Sequence, residues 1–237
     1  MNLILLFADD FSHEGHALLR DTRRLEHIHK VHRAVLGDVL RVGRVDGLMG
    51  VGKIIHIDPQ QITLEVSLTE PPPAPSNIHL ILGLPRPPML KRTLQTIAML
   101  GVKQLTLLQS ARVEKSYWQS PQLQPHKIAA ELLLGLEQGC DTHFPVIHTA
   151  KRFRPFVEDQ LPQLMRDHDA LIAHPYVTTP CPTTTDKPTL LAIGPEGGFI
   201  DNEMAIFTEM GFLGVTLGPR IMRVETVVPY LLGRLGG

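Results

Sequence analysis

The 237-residue sequence predicts an α/β protein in two parts, a small barrel-like module followed by an open, mostly parallel sheet flanked by helices. Three observations predict it. Up to residue 70 the chain alternates apolar and polar side chains in short runs, the signature of half-buried strands. Residues 70–77, EPPPAPSN, then form a seam whose prolines lock φ and withhold backbone donors, so an extended, stiff connector is expected there. Beyond the seam, continuous apolar runs alternate with stretches of helical periodicity, as a sheet buried on both faces requires.

Taken in order, MNLILLFADDF is apolar but lacks a basic leader segment and reaches Asp9 and Asp10 at once, which predicts a first strand rather than a signal peptide. GDVLRVGRVDGLMGVGKIIHI (37–57) alternates and turns at Asp46–Gly47, a hairpin signal. QITLEVSL (61–68) adds another strand. After the prolines, IHLILGL (78–84) predicts a strand buried on both faces, and RTLQTIAML (92–100) a helix stopped by Gly101. KQLTLLQS is a second strand and HKIAAELLLGLEQG a long helix ending at Gly139. FPVIHTA, DALIAHP, PTLLAIG and GVTLG supply further short strands. Between the last two lies DNEMAIFTEMG, with Asp201 as N-cap and Gly211 as stop.

Composition narrows the function. With 43% hydrophobic and 20% charged residues, the chain can bury a full core. A net charge of −1 gives no global basic field, although a local basic patch stays open. Cys140 and Cys181 lie far apart and outside any CxxC, which argues against a disulfide scaffold or cysteine zinc site and fits a reducing compartment. No run of about 18 apolar residues predicts a membrane span. A soluble, cytoplasmic protein is expected. GxSxG, HExxH, P-loop and complete GxGxxG motifs are all absent, which removes support for four large enzyme classes.

LEHIHKVHR places His27, His29 and His32 close together, and three imidazoles can ligate a metal. No single regular element aims all three at one point, so no metal site is expected. A basic surface is the better reading, since Arg20, Arg23, Arg24, Lys30, Arg33, Arg41 and Arg44 share the module. Such a cluster suits phosphate contacts, Arg33 and Arg41 among them, or is a solvated face. In RPPMLKRTLQ, Arg86, Lys91 and Arg92 crowd a helix start, where cations oppose the positive end of the helix dipole. An anion nearby would relieve that conflict, and RNA phosphate on Lys91 and Arg92 is a candidate.

The most informative stretch is LLAIGPEGGFI (190–200). Its glycines and proline let the backbone approach a ligand closely, yet Glu196 would repel phosphate inside a pocket. An acid there suits a partner with hydroxyls, an amino group or a cation, all of which S-adenosylmethionine has. One helix later a second glycine-marked strand exit follows, LGPRIMRVET (217–226). Two such loops can enclose one cofactor, or they are two ordinary turns.

Together, IGPEGGF, DNE, MGF and VTLGPRIMRVET resemble the C-terminal signature of the SPOUT-class RNA methyltransferases, specifically the RsmE family. HIHKVHRAVLGDVLRV, MLKRTLQTIAMLGVKQLTLLQSARVEKS and ELLLGLEQGCDTHFP extend the resemblance over nearly the whole chain. It implies a PUA-like RNA-binding β-barrel over residues 1–72 and a SPOUT-type parallel sheet with a C-terminal trefoil knot over 73–237, a rare exception to the rule against knots. The activity implied is methylation of uridine N3 in 16S rRNA of the small ribosomal subunit, with S-adenosyl-L-methionine as cofactor and a homodimeric enzyme whose partner subunit completes the site. Gly194, Pro195, Glu196, Gly197 and Gly198 would form one wall. Leu217, Gly218, Arg220, Ile221 and Met222 would form a second, and the Pro175 region a third. A SPOUT methyltransferase acting on another RNA position, or a non-catalytic RNA-binding assembly factor, shares much of this pattern.

Three departures from the family pattern stand out. Cys140–Asp141 replaces an expected arginine of the RNA surface, Val227 ends a varied version of the second motif, and Pro229 falls where a helix interior is expected. Interior proline costs about 3 kcal/mol, so a late helix start or a kink is anticipated. For the chemistry, Arg223 is chosen to stabilise the developing uridine anion or grip the target phosphate, and Glu225 to orient it. No metal is called for.

Overall fold

The computed structural model describes residues 2–13, 15–185 and 187–236. The chain divides into two compact units, Met1–Ala74 with Leu133–Phe144, and Pro75–Leu132 with Pro145–Gly237.

The first unit carries strands β1 (Ile4–Leu6), β2 (Phe11–His13), β3 (His16–Leu19), β4 (Val39–Arg44), β5 (Met49–Ile57) and β6 (Ile62–Glu70) in one mixed sheet of order β1-β4-β5-β6-β3-β2. β1 runs parallel to β4, and the remaining pairs are antiparallel. The β4–β5 hairpin turns where the sequence predicts, with Asp46 in the left-handed region (φ 55°) and the Gly47 N–H donating to the Arg44 carbonyl at 2.9 Å. Alternation places Ile4, Leu6, Leu19, Val42, Ile54 and Leu64 on the buried face.

Helix α1 (Thr22–Glu26) starts at Asp21, whose side chain accepts from the Arg24 N–H, and continues as a π-helical turn over His27–His32. That wide turn makes residues five apart neighbours, so His27 and His32 meet edge to face at 4.8 Å. His29 points elsewhere, its Nε2 3.0 Å from the Asp58 carbonyl.

The basic cluster loses two members. Arg24 is buried, its guanidinium donating to both Asp10 oxygens at 2.6 and 2.7 Å, to the Leu5 carbonyl at 2.8 Å and to Asp21. Arg23 donates to both oxygens of Glu137 at 2.6 and 2.9 Å. The buried Arg24 guanidinium must be paired, as must the buried Glu137 that holds the more exposed Arg23, and the carboxylates at positions 10 and 137 lie too far off in sequence for local composition to reveal the match. Arg20, Arg33, Arg41 and Arg44 stay exposed, as does Lys30, which pairs with Glu26 at 2.9 Å.

The second unit holds strands β7 (Ile78–Gly83), β8 (Gln104–Leu108), β9 (Val146–Ala150), β10 (Asp169–Ala173), β11 (Thr189–Ile193) and β12 (Leu213–Val215), all parallel, in the order β12-β10-β11-β7-β8-β9. β7 and β11 are buried along their whole length, as their uninterrupted apolar character requires. Helix α2 (Pro87–Met99) follows β7 and ends before Gly101, which takes φ 77°. Helix α3 (Pro125–Gly139) follows β8, and its last turns fall within the first unit. Short helices α4 (Phe153–Pro155) and α5 (Leu161–Leu164) lie between β9 and β10. The last two are α6 (Asp201–Glu209) and α7 (Val224–Leu235).

Three expectations change here. Asp201 is the first residue of α6, not its cap. The cap is Ile200, whose N–H is satisfied by Glu203 at 3.1 Å. The last strand stops at Val215, and Thr216 keeps a single bridge to Pro180. α7 runs unbroken through Pro229, so the proline is accommodated without a late start, leaving the Glu225 carbonyl without its helical donor. Among the described residues no helix is long and apolar enough to cross a membrane.

Inside the parallel sheet, His79 on β7 is buried with Nε2 2.9 Å from the Thr106 hydroxyl. Burial, reinforced by His148 and His168, pushes its pKa down to about 4. The unfolded chain binds this proton at about pH 6.5, so stability is fullest above that value and falls as pH drops toward 4. The loss is on the order of 3 kcal/mol. Urea unfolding at successive pH values measures it, and His79→Asn should flatten that part of the profile.

Candidate active site

In a parallel sheet every strand delivers its chain to the same edge, where ligands of open α/β folds gather. The exits of β10, β11 and β12 enclose a cavity of about 880 Å³. The first wall is GPEGG. The Gly198 N–H closes it by donating to the Pro195 carbonyl at 2.7 Å, and Gly198 takes φ 73°. Pro195 lies directly on the end of β7, since a Cβ on Gly83 would come within 2.4 Å of its Cδ and 2.6 Å of its nitrogen. Gly194 is as confined, its would-be Cβ 2.9 Å from the Phe199 nitrogen. Backbone, not side chain, therefore forms this wall.

Two arginines that also line the cavity brace this wall. Arg112, from the turn after β8, donates to the Gly197 carbonyl, and a Cβ on Gly197 would press its side chain at 3.1 Å. The turn itself is fixed by Glu203, which is 4% exposed and accepts the Ala111 N–H at 2.7 Å while also capping α6. Arg86, at the N-cap of α2, gives Glu196 both its backbone N–H at 3.1 Å and its side-chain Nε at 3.3 Å. Glu196 thus meets a protein cation. The same contact supplies the anion that the basic start of α2 demands, because Pro87 and Pro88 offer no N–H there. Lys91 likewise pairs with a protein carboxylate, Glu131, at 3.2 Å. Arg92 is exposed.

The second wall is formed by Leu217, Gly218, Arg220, Ile221 and Met222, and all five line the cavity. Gly218 takes φ 109°, where a side chain would be strained. Arg223 caps α7 with its side chain 84% exposed, 3.9 Å from Glu225 in the first helical turn. Both line the same cavity. The third wall, after β10, includes Pro175, as the sequence predicts, and His174, which sequence reasoning misses. Burial lowers the His174 pKa below the ordinary imidazole range and Arg112 adds to this, although the Phe199 carbonyl and the Asp201 charge act against it. Its ring accepts the Tyr176 N–H at 3.4 Å. A histidine directly after the strand DALIA was the available signal. Arg112 had none, because its role depends on a carbonyl 85 residues away.

The residues chosen for RNA lie outside this cavity. Arg33, in the left-handed region at φ 52°, and Arg41 on β4 are exposed in the first unit, whereas Lys91 and Arg92 stand on α2. Asp141 is 3% exposed and accepts the His143 N–H at 3.0 Å, so the position where an arginine was expected faces the interior of the first unit.

The family model described as an RNA methyltransferase domain matches residues 72–236. The ribosomal RNA small subunit methyltransferase E of Treponema pallidum is 29% identical over 232 residues, spanning 95% of this chain and 87% of that protein. The ribosomal RNA small subunit methyltransferase E 1 of Borreliella burgdorferi is 22% identical, spanning 95% and 93%. Among solved structures, a ribosomal RNA small subunit methyltransferase E from Neisseria gonorrhoeae bound to S-adenosyl methionine superposes with a TM-score of 0.75 at 20% identity. It covers 98% of this chain and 95% of its own, a likeness of fold.

The Gly83 contact is directly testable. Gly83→Ala must displace Pro195, so we expect a loss of about 1–3 kcal/mol and faster amide exchange at the peptide spanning Gly194 and Gly198. An unchanged exchange pattern would show that the wall does not depend on this packing.

Proposed function

This chain belongs to the RNA methyltransferase domain family, and on that premise we propose that it transfers a methyl group from S-adenosyl-L-methionine to uridine N3 in 16S rRNA of the small ribosomal subunit. One observation carries the proposal. Three strand exits converge on a single cavity that contains all ten residues chosen for the cofactor, with Arg223 and Glu225 beside them.

The donor set fits this cofactor. A cavity of about 880 Å³ walled by glycine-rich backbone suits an adenosine, whose ring and ribose take hydrogen bonds from main-chain groups. Buried Ile193 and Val224 and the half-buried Met222 add apolar lining. Glu225, with its side chain 20% exposed, is the acid available to a cationic ligand, because Glu196 already holds Arg86. When bound, the cofactor supplies an electrophilic methyl group on a positively charged sulfur.

The protein's contribution is positioning and charge. Uridine N3 carries a proton that must leave before or during transfer, and the uracil ring becomes anionic as it does. Arg223 presents an always-charged guanidinium at the cavity rim to stabilise that anion or to grip the target phosphate. Glu225 orients it from 3.9 Å. His174, whose pKa burial holds below the ordinary imidazole range, lines the third wall. The last strands thread a trefoil knot, a topology compatible with the order β12-β10-β11 and the Pro180–Thr216 bridge. The first unit is a PUA-like RNA-binding barrel, with Arg33 and Arg41 on its exposed surface and Lys91 and Arg92 contributing from α2. The enzyme works as a cytoplasmic homodimer.

Arg223→Ala should lower methyl transfer to small subunits about 10²–10³-fold while calorimetry shows cofactor binding little changed. Full turnover by that variant would refute its role. An unchanged methyluridine level in rRNA from a strain lacking the gene would sink the target assignment, and absence of cofactor binding would sink the catalytic one.

A further inference from the structure

The cavity occupies only half of the strand-exit edge. Beyond it, residues 109–120 and 151–155, leaving β8 and β9, carry the exposed Lys115, Lys151, Arg152 and Arg154, with Arg112 at the cavity's edge; Glu114 is their one carboxylate, and Glu158 and Asp159 come only after Arg154. Beside Lys151 stands the half-buried Trp118, the only tryptophan in the chain. Its ring is fixed rather than free. The indole N–H donates to the Gln109 side-chain oxygen at 2.5 Å, and the same amide donates to the Ser110 and Val113 carbonyls at 2.7 and 3.0 Å. Lys151 sits over the ring at 5.8 Å. The Gln109 N–H to Ala150 carbonyl bond, at 2.8 Å, holds the two exits side by side. Arg112 joins this ledge to the cavity through the Gly197 carbonyl.

We infer that this ledge receives the single-stranded RNA flanking the target uridine, with bases stacking at Trp118 and phosphates meeting Lys151, Arg152 and Arg154. The inference rests on the proposed function and extends it to residues outside the cofactor walls. Single-strand binding needs cations that track the backbone together with rigid aromatic faces that accept any base. A solvated charged face needs no anchored indole, and an acidic protein partner needs only the charges. Distance agrees. From β11 to β9 is three strand positions, roughly 15 Å at about 4.8 Å per strand, within reach of a few nucleotides of a strand whose target base enters the cavity.

Trp118 reports on its own environment. Titrating the full-length protein with a labelled single-stranded uridine-rich RNA should quench its emission in step with RNA anisotropy. The variant Lys151→Ala/Arg152→Ala/Arg154→Ala should weaken RNA binding and make the slope of log affinity against log salt shallower by about 2, with cofactor binding unchanged by calorimetry. Because these side chains are exposed, the variant should keep the wild-type circular dichroism. RNA that binds without quenching and with an unaltered slope in the variant would overturn the ledge while leaving the methyltransferase assignment intact. Equal quenching by poly-glutamate would also overturn it, as would failure of the wild type to bind RNA. Quenching by small subunits that receive no methyl group would support the ledge and refute the proposed reaction instead.

Discussion

The site depends on one close contact, the seating of Pro195 on the end of β7 where Gly83 has no side chain. β7 and β11 pair in parallel with Leu82 opposite Ile193, so the next residue of each strand falls beside the other. Because both are glycine, the chain leaving β11 can turn across its neighbour at once instead of climbing away from the sheet. Everything beyond follows from that low turn. Glu196 lands against Arg86, Gly197 against Arg112, and Phe199 drops into the aromatic cluster with Phe207 and Phe212. A cavity wall made largely of backbone is thereby locked in place by Arg86 and Arg112, which share the cavity lining with it.

The charges divide into two kinds. Arg86 and Arg112 spend their hydrogen bonds on the first loop, and Arg24 and Arg23 on the carboxylates of the first unit. These are structural cations, each answered by a protein oxygen. Arg223, by contrast, extends into solvent with only a loose partner at 3.9 Å. Counting arginines in the sequence cannot separate the two kinds. What separates them is whether the fold brings an acceptor within hydrogen-bonding distance.

Much of this was legible in the sequence because it rests on local chemistry. The Asp46–Gly47 turn, the stop at Gly101, the buried runs of β7 and β11, and the pair of glycine-marked exits are all written in adjacent residues, and the cofactor residues that the family resemblance assigns to those exits share one cavity. What escaped notice depends on partners distant along the chain. Nothing adjacent to Glu196 in the sequence shows that Arg86, 110 residues earlier, supplies its cation. Local composition places Arg23 and Arg24 with the surface cations, because their partners Glu137 and Asp10 are supplied by other segments. Nor does the sequence show that Asp141, where relatives carry an arginine, is itself buried. The cap of α6 was misplaced by one residue because Glu203 reaches backward, a choice made by tertiary contact with Ala111 as much as by local preference.

Helix α3 has a bearing on how such a protein can be divided. The prolines at 71–73 look like a natural cutting point, and residues 1–74 look like a transplantable module. Yet the N–H groups of Asn2 and Leu3 both donate to the Glu137 carbonyl, Arg23 takes its carboxylates from the same residue, and the Thr142 hydroxyl donates to the Gly47 carbonyl at the hairpin turn. The module's own first strand is therefore completed by a segment encoded sixty residues downstream of the linker, roughly the length of two βα units. Genetic exchange at the prolines would hand over a barrel without its keystone. Any recombination that preserves both parts has to carry the helix with it, although each unit has its own core.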